Sequence, residues 1–309
     1  MQRVLTTVTL LGLLVATAAA FAITEHLKLE KSAIYGLQVS KYLSPVCGRD
    51  CPTRTATIQV KLRHPDHVTV TIADADGNKV ATALPAKRKN HFVWDGTTND
   101  GTQAPDGVYH PWISLAHARH TYKLANPIIV DTRPPKVISA AALKRKPVLL
   151  AGPGRSIAIK YDFSENAHAL VYLDGRSRPS VVGRKTRHQF KVKWAARLGG
   201  RPLPAGRYVL SIGASDIFGN KTPAPERLDV PVVVRYIELS SQRITVGRGG
   251  RIEVHVDTAA RRYTYRLGKR HGDRRRKSLR LRAPTTPGTY HLVVAENGHT
   301  ATAVVKVHK

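Results

Sequence analysis

The chain has 309 residues, with 50 Lys and Arg against 21 Asp and Glu, a formal net charge of +29. Its apolar fraction of 42% is enough for packed cores and excludes wholesale disorder. Two cysteines exclude a disulfide-dense scaffold or a zinc ribbon, and the charge favours anionic partners.

Val4 to Ile23 is an uncharged run long enough, as a helix, to cross a bilayer core of about 30 Å. Arg3 and the α-amino group precede it. The charges of Glu25, Lys28, Glu30 and Lys31 behind it cancel, so the positive-inside rule exports the remainder. The rival reading is a cleaved signal peptide, with small-residue sites at Ala18–Ala20 and Ala20–Ala22. Both readings make the bulk of the chain extracytoplasmic, either single-pass at the cell membrane or secreted. Cys47 and Cys51, in SPVCGRDCP, then face an oxidising space and are expected to form a short-loop disulfide.

After Cys51 the apolar period is 2. Ile58, Val60 and Leu62 alternate with polar neighbours, as do Val68, Val70 and Ile72. The same pattern returns at Ile157–Phe163, Phe190–Trp194, Ile252–Val256, Tyr263–Leu267 and Tyr290–Val294. Such runs, separated by Asp-Gly and Asn-Asp-Gly turns, predict an all-β chain of sandwiches. A repeat is embedded in it. HFVWDGTTNDGTQAPDGVY holds Trp94 and Tyr109, and FKVKWAARLGGRPLPAGRY holds Trp194 and Tyr208. A weaker third copy, TTPGTY, ends on Tyr290. These five aromatic residues are read as structural core. The tryptophan plugs the end of one strand, and the tyrosine opens the next with its hydroxyl near a polar partner. The glycine before the tyrosine is expected to permit a positive φ.

The segment Val93–Tyr109, VxWDGxxNDGxxxPDGVY, resembles the Ig-like domain family of the flagellar hook-capping protein FlgD. The second copy has Ala195-Ala196 where the first has Asp95-Gly96. The third is generically Ig-like. The whole chain resembles actinobacterial membrane-anchored proteins of unassigned function carrying such domains. The resemblance implies tandem Ig-like β-sandwiches, two FlgD-like plus one generic, behind an N-terminal transmembrane helix, in an envelope setting. It does not imply hook capping. The expected organisation is a signal anchor at 1–24, a stalk with the Cys pair at 25–51, and sandwiches at 52–132, 133–235 and 236–309. The prolines of DTRPP stiffen the first junction.

The charge is uneven. Residues 52–131 carry +2, residues 132–235 carry +14 and residues 236–309 carry +11. The densest stretch reads as one hairpin. Arg261, Arg262, Arg266, Lys269 and Arg270 lie on one arm and tip, and Arg274, Arg275, Arg276, Lys277, Arg280 and Arg282 on the other. Arginine forks suit phosphate and carboxylate, so the residues from Arg261 to Lys277 form a candidate polyanion site. Lys191 and Lys193 share the outer side of another strand.

No G-x-S-x-G elbow, H-E-x-x-H or P-loop occurs, and no catalytic residue, metal ligand or cofactor is assigned. His64/His67 and His117/His120 are H-x-x-H pairs on strand or loop, where that spacing does not converge on a metal. Asp74–Asn78 is read as a hairpin turn rather than a calcium loop. The expected function is a non-enzymatic envelope module, structural or binding. Its partners are the membrane and an anionic cell-wall polymer or envelope protein. The alternatives are an exported nucleic-acid binder, which is not favoured, and a docking module for an envelope enzyme or secretion partner.

Overall fold

The computed structural model describes residues 2–29, 31–144 and 148–309, with side chains of the first helix described over 8–22. That helix, α1, runs Gln2–Leu29. Val4–Ile23 lies inside it, although part of the expected span falls outside the described side chains. Among the described residues, no helix is long and apolar enough to cross a membrane. The rest of the structure is β, in two compact units: residues 1–45 with 53–131, and residues 46–52 with 132–309.

Among the described residues the first unit has ten strands. They are β1 (Ile34–Val39), β2 (Tyr42–Leu43), β3 (Ala56–Leu62), β4 (Val68–Ala73), β5 (Lys79–Thr82), β6 (Leu84–Pro85), β7 (His91–Trp94), β8 (Gly107–Leu115), β9 (His120–Lys123) and β10 (Ile128–Val130). One sheet has the order β1-β3-β7-β6, the other β2-β10-β8-β4-β5, with β9 also on β8. Alternation decides the layers. Ala56, Ile58 and Val60 of β3 pack against Val70 and Ile72 of β4 and Ile113 of β8 in one core. Residues 34–43 correct the expected stalk. Ile34 and Val39 pair with Leu62 and Ile58, a register shift around Gly36 absorbing the break in alternation. That broken alternation hid the strand.

The second unit opens with β11 (Val137–Ala142), β12 (Val148–Leu150), β13 (Ile157–Leu173), β14 (Val181–Trp194), β15 (Arg197–Leu198), β16 (Arg201–Pro202), β17 (Gly206–Ser215) and β18 (Leu228–Arg235). It continues with β19 (Ile237–Leu239), β20 (Arg243–Gly247), β21 (Arg251–Thr258), β22 (Tyr263–Leu267), β23 (Arg270–Arg274), β24 (Ser278–Arg282), β25 (Gly288–Glu296) and β26 (His299–His308). The long β13–β14 ribbon shifts register between Asp162 and Ala167. Before the shift β13 pairs with β11, and after it with β17. The last eight strands form a three-stranded sheet, β19-β21-β24, and a five-stranded sheet, β20-β26-β25-β22-β23.

The expected boundary at 235/236 is not a gap between compact units. Only Tyr236 separates β18 from β19, and it is buried. One continuous cluster runs from Trp194 and Val232 through Tyr236 and Ile237 to Val254 and Val305. With no linker between the strands, the two sandwiches must pack end to end.

The repeat has a common device. The Tyr109 hydroxyl donates to the Pro105 carbonyl at 2.8 Å, Tyr208 to Pro204 at 2.9 Å and Tyr290 to Thr286 at 2.9 Å. Each is a tyrosine corner, tying the start of a strand to the turn before it. Trp94 and Trp194 are buried beside their tyrosines, with ring centroids 5.1 and 6.4 Å apart. Gly107 and Gly206 do not have the expected positive φ; Gly96 and Gly101 do, at +87° and +83°. In the two tryptophan-bearing copies the left-handed residues sit in the turn after the tryptophan, where the chain reverses tightly; in the third copy Gly288, at the strand entry, does have a positive φ, +152°.

Tyr109→Phe, Tyr208→Phe and Tyr290→Phe are each expected to cost about 1 kcal/mol in denaturant unfolding, the worth of one intramolecular hydrogen bond. Gly96→Ala is expected to cost more, about 1–2 kcal/mol from the left-handed backbone alone. Its new methyl would also lie 2.5 Å from Pro45 Cγ.

Candidate functional site

All nine cations from Arg261 to Lys277 are exposed, but they do not form one face. Tyr263, Tyr265 and Leu267 of β22 turn inward. Across the pair they face Arg274, Gly272 and Arg270 of the edge strand β23. Arg270 and Arg274 are therefore drawn to the inner side of the edge. Arg270 Nη1 donates to the Arg282 carbonyl at 2.9 Å. The Arg274 guanidinium lies 5.1 Å from the Tyr265 ring centroid, and its Nη1 donates to the Asp273 carbonyl. Arg266 points outward opposite His271, and Arg262 pairs with Asp273 at 3.4 Å. Lys269 sits in the turn after Gly268. Arg275, Arg276 and Lys277 form the loop between β23 and β24.

The expected single hairpin is corrected by the strand pairing. Arg280 and Arg282 lie on β24, which pairs with β21 in the opposite sheet. Leu279 and Leu281 fill the core from that side, so the chain must cross layers at 275–277. Glu253 takes hydrogen bonds from Ser278 Oγ and Arg280 Nε, which hold its carboxyl below the usual range. Its neighbours Arg251 and Arg282 face each other across the pair. Lys160 and Lys191 face each other likewise on β13 and β14, with Lys193 next on the outer side. Cations directly opposite repel, and an anion lying between them relieves that.

A second feature was missed by sequence reasoning. A cleft of about 760 Å³ opens between the second and third sandwiches. Arg197, Arg261, Arg262, Tyr236, Glu296 and His299 line it. Tyr236 donates to the Leu203 carbonyl at 2.6 Å, and its ring stacks on His299 at 3.6 Å. Burial, first of all, pushes the Tyr236 phenol up; Tyr208 and Glu296 add to this and Arg197 opposes it. Glu296 is buried and its Oε2 accepts no hydrogen bond. The signal was present: Glu296 follows Leu292 and Val294 in alternation, a carboxylate at an inward position.

Cys47 and Cys51 form a disulfide. Its Cys51 sulfur lies 3.7 Å from the Phe218 carbonyl oxygen. Neither H-x-x-H pair gathers by itself. His67 and His117 meet edge-to-face at 5.5 Å beside Asp66. Asp66 accepts backbone N–H groups from His117 at 2.9 Å, Ala118 at 3.0 Å and His67 at 2.6 Å. At Asp74–Asn78 the Asp74 carboxylate is taken up by Asn78 N at 2.8 Å and Nδ2 at 3.1 Å, a turn and not an open ligand. Asp216 and Asn220 repeat that arrangement.

Residues 52–115 match the FlgD Ig-like domain family. This segment is similar to FlgD Ig-like domains. The match begins just before β3 and ends with β8; β1, β2, β9 and β10 complete the sandwich outside it. The chain is 36% identical over 80 residues to the basal-body rod modification protein FlgD of Salmonella typhimurium, and equally to that of Salmonella typhi. That stretch is 25% of this chain and 34% of either relative, so the chain spans about a third of their length. Among solved structures, fibronectin(III)-like modules of Clostridium thermocellum CbhA align over 64% of this chain and 93% of theirs, at 12% identity and a TM-score of 0.36. A three-Ig fragment of titin aligns over 90% of this chain and 99% of its own, at 12% identity and a TM-score of 0.30.

The three backbone donors on Asp66, that of His117 foremost, hold its pKa below the ordinary 3.8. The stability this gives is present above pH 3.8 and is lost as pH falls through the depressed value. Asp66→Asn should therefore lower the unfolding midpoint of the first unit at pH 7. The gap from the unsubstituted protein should close below pH 3.8, measured by urea titrations across pH.

Proposed function

We propose that the chain is a non-enzymatic binding or spacer module of the cell envelope, whose second unit holds an anionic wall polymer. The observation that carries this is the placement of excess positive charge. Of the +29 formal charge, +25 falls in residues 132–309. There Lys160 faces Lys191, and Arg251 faces Arg282, across paired strands. Glu253 offsets part of the Arg251–Arg282 repulsion, but Lys160 and Lys191 have no ion-pair partner among the described residues; a phosphate- or carboxylate-bearing polymer supplies the counter-charge.

The envelope location rests on α1. Leu10, Leu11, Leu13 and Leu14 are 63, 67, 63 and 70% exposed, and no charged residue occurs from Val8 to Ala22. A helix apolar on every side needs an apolar surrounding. In this reading α1 serves as a membrane anchor or as an export signal that is removed, and both sandwich units lie outside the cytoplasm. The FlgD-like segment contributes the fold and no hook-capping role.

The test is binding of the full chain, in detergent micelles, to purified anionic wall polymer over a salt series, with duplex DNA of equal charge in parallel. Binding that falls steeply with salt, weakened in a Lys160→Glu/Lys191→Glu/Lys193→Glu variant, is expected. Absence of binding at low salt defeats the reading. Selective binding of DNA over the wall polymer moves it to nucleic-acid capture.

A further inference from the structure

We propose that the free edge of β14 takes up an extended polypeptide strand of alternating acidic and apolar residues, supplied by a protein partner. In this assignment the added strand hydrogen-bonds to the outward backbone groups of Gln189, Lys191 and Lys193. Its acidic side chains meet Lys191 and Lys193, and its apolar ones cover Phe190. The inference goes beyond polymer binding and does not need it.

Three observations converge. The first is the backbone. Among the described residues β14 pairs only with β13. The Leu143 N–H donates to the Ala158 carbonyl at 3.0 Å, so Ala158 turns its backbone to the β11 side. Its neighbours Ile157, Ile159 and Tyr161 then turn theirs to β14, where they pair with Trp194, Val192 and Phe190. The His188 N–H, in the same phase, also points towards β13 and donates to Asn166 Oδ1 at 3.1 Å. Gln189, Lys191 and Lys193 therefore aim N–H and C=O at the open edge, a template for one more strand.

The second is an unfinished face. Val192 and Trp194 are buried, yet Phe190, in phase with them and opposite the buried Tyr161, is 38% exposed. A groove of about 490 Å³ opens there, lined by Tyr161, Val181, Val182 and Phe190. Val182 is 57% exposed, and the Lys185 ammonium lies 4.7 Å from the Phe190 ring centroid. A further strand would set its inward side chains over this groove, as neighbouring strands of a sheet do.

The third is charge, which selects the occupant. Residues 181–194 hold Arg184, Lys185, Arg187, Lys191 and Lys193 and no acid. None of these five has a carboxylate partner among the described residues. Lys191 and Lys193 lie on the outer side, so an added strand meets them with every second residue while the residues between face Phe190. A second copy of β14 would set cation against cation and is repelled. A basic strand is excluded in the same way. A strand that alternates acidic and apolar residues answers both sides of the edge.

Titration of the full chain in detergent micelles with a capped peptide of alternating Glu and Val tests this, read by calorimetry and by residue-level amide hydrogen exchange. The controls are a peptide of alternating Glu and Pro, which keeps the charge but lacks every second N–H, and one of alternating Lys and Val. Saturable binding about tenfold tighter than either control is expected, with the Gln189, Lys191 and Lys193 amides newly protected. Lys191→Pro removes an outward donor and spares the ladder to β13, whose unchanged protection shows that the variant is folded. It should weaken peptide binding about fivefold beyond Lys191→Gln, the worth of one net hydrogen bond. Val182→Ser, which strips one apolar wall of the groove, should weaken it about threefold. Wall-polymer binding reads charge alone and should fall equally in Lys191→Pro and Lys191→Gln, so failure of either reading shows separately. Equal binding of either control peptide, absence of binding, or binding without protection of those three amides overturns the proposal.

Discussion

Tyr236 stands alone between two strands of different sandwiches, and that single-residue connection governs the larger unit. β18 ends at Arg235 and β19 begins at Ile237, so the chain has no slack with which to separate the two bodies. Tyr236 must occupy the seam. It does so with its ring buried and its hydroxyl on the Leu203 carbonyl. Loops from both sides are then forced to share space, which brings Gly152 against Ala259 and Arg155 within 3.9 Å of Asp257. Where the end-to-end fit is imperfect, the cleft remains. The cleft is a by-product of that short connection.

Within each sandwich the tyrosine corner plays a comparable part on a smaller scale. Three copies keep a hydroxyl-to-carbonyl bond spanning four residues while the surrounding sequence drifts. What drifts is instructive. In the first copy Asp95 accepts the Thr97 N–H, and the Thr97 carbonyl in turn accepts Trp94 Nε1 at 2.9 Å. The second copy has Ala195-Ala196 there. Ala196 still takes a positive φ of +50°, and the Trp194 indole N–H has no partner. The turn survives loss of its side-chain cap because Trp194 is fully buried and the packing holds it.

The period of 2 made the sandwiches legible, since alternation over short runs has one physical meaning on a half-buried sheet. The Trp-to-Tyr repeat made the copy number legible. Three things escaped. The strands at 34–43 are short and interrupted by Gly36, so alternation could not mark them. The basic run at 261–282 looked like one hairpin, because the inward Leu279 and Leu281 have the same period whichever sheet they join. The cleft is assembled from loops far apart in sequence, and only Glu296, an acid in phase with Leu292 and Val294, announced it. Charge was countable from composition; which cations stand free of carboxylates required the pairing of strands.

The most direct measurement is hydrogen exchange of the full chain through a denaturant series, read peptide by peptide. If Tyr236 and the continuous core join the last two sandwiches, then β13, β17, β25 and β26 lose protection together in one transition. Loss of protection in β25 and β26 while β13 and β17 remain closed would contradict a shared core, and with it the end-to-end packing from which the cleft arises.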